Sequence, residues 1–153
     1  MLRKISTLLL LCLATSWLSA QVISSFPFFE DFESQTNGPT GCNPSYSFAA
    51  GTWMNGDDAT PAVATHTLDW TVDVGGTGSS GTGPSVDHTL GTNAGKYIYQ
   101  ESSCTANREC DLVSPYLDLT GVSGLVLDFW YHAWGADTAR MHLDIDTTQG
   151  AGC

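Results

Sequence analysis

The chain has 153 residues, 16 acidic and 5 basic, with a formal net charge of −11. Such a surface repels phosphate backbones and anionic lipid headgroups, so nucleic acid is excluded as a partner. With 14% charged and 42% apolar residues it is unlike a disordered acidic segment, and its length suits one domain with a sizeable core.

The chain opens as an export signal. Arg3 and Lys4 precede the apolar run Ile5 to Leu13, and Ser19-Ala20 supply small residues before Gln21. This layout predicts a signal peptide over 1–20, because the run is too short to span a bilayer. Residues 21–25 follow as a short lead, and 26–153 are expected to form the folded domain. No later segment has the length and apolarity of a transmembrane helix.

Beyond the lead, short strand candidates fall at 26–32 and 48–54. Leu68, Trp70, Val72 and Val74 then alternate with Asp69, Thr71 and Asp73, the period of two that marks a strand. Residues 75–84, rich in Gly, Ser and Thr, read as a long flexible loop. Further short candidates are 96–100 and 112–119. From Leu125 to Ala133 the set Leu125, Leu127, Phe129, Tyr131 and Ala133 points one way, and Val126, Asp128, Trp130 and His132 the other. Met141, Leu143 and Ile145 alternate with His142, Asp144 and Asp146, whose side reads as a wet strand face. No window after the signal peptide has sustained helical periodicity. The pattern predicts an all-β fold, an antiparallel β-sandwich.

Cys42, Cys104, Cys110 and Cys153 remain after the signal peptide. An exported compartment is oxidising, so disulfides are expected, and the polar segment between Cys104 and Cys110 suits a local staple. Four cysteines allow three pairings, and the sequence leaves those of Cys42 and Cys153 open. A zinc site is disfavoured, since no Cys-x-x-Cys pair is present.

Six elements in order then resemble the MAM domain of extracellular adhesion receptors and secreted proteins. They are Phe29-Glu30-Asp31-Phe32-Glu33; Trp53 with Asp57-Asp58 and Asp69-Trp70; Gly83-Pro84-Ser85-Val86-Asp87-His88-Thr89; Gly95-Lys96-Tyr97-Ile98-Tyr99; Leu112-Val113-Ser114-Pro115; and Leu127-Asp128-Phe129-Trp130-Tyr131-His132-Ala133-Trp134-Gly135. The resemblance is to a bacterial-type secreted variant. It implies a jelly-roll-like sandwich and secreted or cell-surface placement. Two family cysteines fall here at Glu30 and Val126, so the family's usual disulfides do not carry over. Because the family pattern continues past Cys153, a C-terminally truncated domain, lacking its last strands, is expected.

The acidic residues suit calcium, which takes six to eight oxygen ligands. Glu33, Asp58, Asp87 and Asp128 lie in or beside the family-like elements, where the resemblance implies a structural cation. The competing reading makes them solvated turn acids, with Asp87 bonding its own turn. Trp53 and Trp70 read as core residues. Trp130 and Trp134 read as a second packed layer, or as an exposed platform for sugar rings or a partner. His132 reads as a hydrogen-bonded structural residue. No His-Glu-x-x-His pair and no Gly-x-Ser-x-Gly elbow is present, so no catalytic residues are assigned and an enzyme is not expected. The sequence thus predicts a non-catalytic recognition or adhesion module whose partner is a protein or glycan at the cell surface. The alternatives are a carbohydrate-binding module, or an accessory domain of a larger secreted peptidase or glycosidase.

Overall fold

A computed structural model describes residues 21–42, 45–59, 68–101, 109–135 and 140–147. The predicted signal peptide, His66, Cys104 and Cys153 lie outside these residues. Among the described residues there is no helix, and therefore none long and apolar enough to cross a membrane. The fold is all-β, as the alternation predicts.

Six strands are present: β1 (Val22–Ile23), β2 (Met54–Asn55), β3 (Thr71–Val74), β4 (Lys96–Tyr99), β5 (Leu112–Val113) and β6 (Tyr116–Leu117). β3 pairs antiparallel with β4, Thr71 opposite Tyr99 and Val74 opposite Lys96. β2 pairs antiparallel with β5, and β1 pairs parallel with β6. β1 lies inside the segment expected as a lead.

The core forms where β3 meets the aromatic residues of the first third of the chain. Val72 is 0% exposed and packs with Tyr46 and Phe48, backed by Phe32, Trp53, Trp70, Ile98 and Leu112. Val72 lies directly opposite Ile98, so both present their side chains on one face of the pleat. The Tyr46 and Phe48 rings meet edge to face at 4.9 Å, and Phe32 lies 5.5 Å from Trp53. Trp53 and Trp70 thus line the core, as expected.

Buried polar side chains tie these pieces together. Asn55, 1% exposed, donates from Nδ2 to the carbonyls of Tyr46 (2.7 Å) and Trp70 (3.2 Å), and its Oδ1 accepts the Trp70 N–H (2.8 Å). Asp69 Oδ2 accepts the Tyr46 N–H at 2.7 Å. Gln35 accepts from Ala49 N and donates to Thr52 Oγ1. Irregular backbone is thereby satisfied without a ladder. Gly38 crosses so close to this layer that a Cβ there would meet the Tyr46 ring, 2.6 Å from Cδ2.

Several strand expectations are corrected. Residues 26–32 bend: the Phe26-Pro27 bond is cis and Phe32 has a φ of 60°. Within 48–54 the chain turns, with Thr52 N–H on the Ala49 carbonyl, and only Met54 joins a ladder. The 112–119 candidate splits into β5 and β6 around Ser114-Pro115, because proline has no N–H for the ladder. Two further candidates, 125–133 and 141–146, join no sheet. Their alternation defines two faces, but a strand also needs a neighbour to complete its backbone hydrogen bonds, and none of the three sheets supplies one.

Candidate interaction surface

The surface is built on the loop between β3 and β4. Asp87, buried at the foot of that loop, accepts from the N–H groups of Leu90 (2.6 Å) and Thr92 (3.1 Å), while its own N–H donates to the Thr92 carbonyl. These backbone hydrogen bonds, led by that from Leu90, hold its carboxyl below the ordinary aspartate range. Gly95 passes directly over the Asp87 carboxylate, leaving no room for a Cβ. At the next residue Lys96 N–H donates to Glu33 Oε1 (2.7 Å), and Lys96 Nζ donates to the carbonyls of Glu33 and Gln35. Glu33 and Asp87 therefore bracket the start of β4 and fix the loop's return.

The loop presents Thr82 from its rising half and His88 from its returning half to the segment 125–135. The His88 and Trp130 rings stack, centroids 3.9 Å apart and planes at 16°. His132 Nε2 lies 2.9 Å from the Thr82 carbonyl, confirming a hydrogen-bonded role for this residue. Two histidines thus hold the segment against the loop. Nothing in the alternation of either segment marks this contact. Its one sequence signal is that both sides fall within the family-like elements 83–89 and 127–135.

Beyond those two contacts the segment is open. Trp130 is 77% exposed and Trp134 70%, and Leu125, Val126, Leu127, Phe129 and Tyr131 are exposed as well. The packed-layer reading of Trp130 and Trp134 is overturned, because no second layer of described residues covers them. His88 occupies one face of Trp130 and leaves the other open. The result is an apolar, aromatic surface whose only charged side chain between 125 and 135 is Asp128.

The four carboxylates named for a cation stand in different surroundings. Asp58 and Asp128 are exposed, whereas Glu33 and Asp87 each accept backbone N–H groups. Among the described residues, no group of three or more His, Cys, Asp or Glu side chains is arranged to hold a metal ion. The structure favours the turn-acid reading for Asp87.

The expected Cys104–Cys110 staple is corrected as well. Cys110 is a free thiol, and Cys42 is a disulfide-bonded cysteine, so these two are not joined to each other. Burial pushes the Cys110 thiol up to about 12, aided by the charges of Asp111 and Asp69. Asp69 is itself raised, by burial first and then by Asp57 and Asp58, against the Tyr46 hydrogen bond. Burial also raises Tyr97 to about 12, with Asp73 opposite it contributing.

Comparison with known proteins agrees with this architecture. Neuropilin-1a of Danio rerio is 35% identical over 85 residues, covering 54% of this chain but 9% of that protein. No solved structure gives a significant match. The family model described as "MAM domain, meprin/A5/mu" matches residues 60–151, which include β3, β4, the loop between them and the exposed aromatic segment. The chain belongs to the MAM domain family.

Proposed function

We propose that this chain is a non-catalytic recognition module of the extracellular space, and that it binds a protein on a cell surface through residues 125–134. The observation that supports this most directly is the run of exposed large apolar side chains at 125–127, 129–131 and 134, held against the β3–β4 loop by His88 and His132. An exposed aromatic patch with a polar rim is the usual composition of a contact surface, and Trp and Tyr dominate binding energy in such patches. Family membership and the neuropilin relative support extracellular placement and an adhesive role. The export signal expected from the sequence of residues 1–20 would suit that placement.

The test is saturable binding of the purified protein to intact cells, before and after mild protease treatment and, separately, after enzymatic removal of glycans. The reading expects binding that is lost on protease treatment and survives glycan removal. It also expects the Trp130→Ala/Trp134→Ala double variant to bind about tenfold or more weakly. Binding lost only on glycan removal would favour a carbohydrate-binding module, and no saturable binding would sink the proposal.

A further inference from the structure

Asp128 is the one charged side chain between Leu125 and Gly135, and it stands exposed in a run of exposed apolar and aromatic residues. Residues 125–134 run without turn or bend, so Asp128 and Trp130 fall on one face of the segment, their Cα atoms about 6.5 Å apart. His88 covers one face of the Trp130 ring, and the other is open. We infer, on the reading of 125–134 as the contact surface, that the partner lays an arginine side chain here, its guanidinium flat on the open face of Trp130 and paired with the Asp128 carboxylate.

Charge complementarity selects this occupant. A partner that covers the apolar run also takes Asp128 out of water, and a desolvated carboxylate is tolerated only when a cation or hydrogen-bond donors replace its hydration. The neighbouring polar side chain does not supply them, because His132 is spent on the Thr82 carbonyl. The cation must therefore come from the partner. Trp is the aromatic ring that attracts cations most strongly, and Trp130 offers its free face within one side chain's reach of the carboxylate. A planar, weakly hydrated guanidinium can stack on that ring while its N–H fork engages the carboxylate, whereas a compact ammonium keeps its water and cannot lie flat. The formal net charge of −11 acts in the same direction, drawing a basic partner surface toward the chain and repelling an acidic one. Asp128 thus sets which partner fits, while the surrounding apolar side chains supply contact area.

Saturation binding of the purified protein to intact cells tests the pairing. Asp128→Asn should raise the dissociation constant about tenfold, and Asp128→Arg by more, since it sets like charges together. Asp58→Asn, which removes an exposed acid outside the segment, should leave binding within about twofold, the scale of a screened surface charge. Asp128 is exposed, so an unchanged Tm serves as the control for folding. Blocking cell-surface arginines with phenylglyoxal should weaken the wild type to the level of Asp128→Asn and weaken Asp128→Asn little further. Acetylating cell-surface lysines should leave the wild type unchanged. Wild-type binding by Asp128→Asn, equal losses for both proteins on arginine blocking, or a loss on lysine acetylation alone would overturn the inference. If the Asp128 variants bind normally while Trp130→Ala/Trp134→Ala binds weakly, the contact surface stands and the arginine falls. If the wild type shows no saturable binding, both fall.

Discussion

Asn55 offers the sharpest test of how an all-β chain with so few ladder residues holds its core. Its side chain makes three hydrogen bonds, donating to the carbonyls of Tyr46 and Trp70 and accepting the Trp70 N–H. Asn55→Ala leaves two acceptors and one donor without partners in a nearly dry site. At about 1–2 kcal/mol for each unsatisfied group, with partial relaxation, the cost is about 3–4 kcal/mol. For a domain of this size that corresponds to a fall in Tm of roughly 10 °C. Asn55→Asp keeps the acceptor but turns both donor bonds into oxygen–oxygen contacts, close to the existing Asp69 carboxylate. It should cost more than Ala at neutral pH. Its carboxyl would have a folded-state pKa raised above the unfolded value, so the variant should regain stability as pH falls through that raised value. The assay is urea unfolding followed by tryptophan fluorescence between pH 7 and pH 4. A loss below about 1 kcal/mol for Ala, or an Asp variant whose deficit does not shrink with acid, would refute the argument.

Other expectations follow from the same contacts. Asp69 has a raised folded-state pKa, so its contribution is full below its unfolded pKa and is lost as pH rises through the folded one. Asp69→Asn should flatten that part of the stability–pH curve. Asp87 has the opposite sign: its contribution is present above the unfolded pKa and is lost as pH falls through the lowered folded value. Protection of the Leu90 and Thr92 amides, measured against their intrinsic exchange rates at each pH, should fall in acid, and Asp87→Ala should produce the same loss of protection at neutral pH. Gly38→Ala drives a methyl group into the Tyr46 ring and Thr71, and should lower stability by about 2 kcal/mol in thermal unfolding. Cys110, its thiol at about 12, should react with iodoacetamide at pH 8 at least roughly a hundredfold more slowly in the native state than in denaturant.

Much of the fold was legible because local rules determined it. The alternation at Leu68–Val74 placed β3, and Val72 became the centre of the core that its position demanded. The Gly-rich run after it became loop, and Lys96 to Tyr99 became strand, their N-terminal end pinned by Glu33. Pairing was less legible. Val126 to Trp134 alternates as cleanly as β3, yet no sheet takes it in, since periodicity encodes the two faces of a strand and not the identity of its neighbour. The same limit applies to the cysteines, where short spacing favoured Cys104 with Cys110 although Cys110 stays free. Residue type and motif position singled out Trp130 and Trp134 for the proposed surface, and His132 as a hydrogen-bonded structural residue, the role its contact with Thr82 gives it. That His88 lies against Trp130 depends on how the β3–β4 loop folds back, which no local pattern records. The carboxylates were visible as acids, but whether backbone amides or a cation would satisfy them depended on that loop geometry.

The central claim is that Trp130 and Trp134 form an open surface which a cell-surface protein covers. Hydroxyl-radical footprinting with peptide mass spectrometry tests it most directly, on the free protein and on protein bound to intact cells. The account predicts rapid oxidation of both tryptophans in the free protein and a several-fold drop on binding, while the partly buried Trp53 changes little. Slow oxidation of Trp130 and Trp134 in the free protein, or rapid oxidation that binding leaves unchanged, would contradict it.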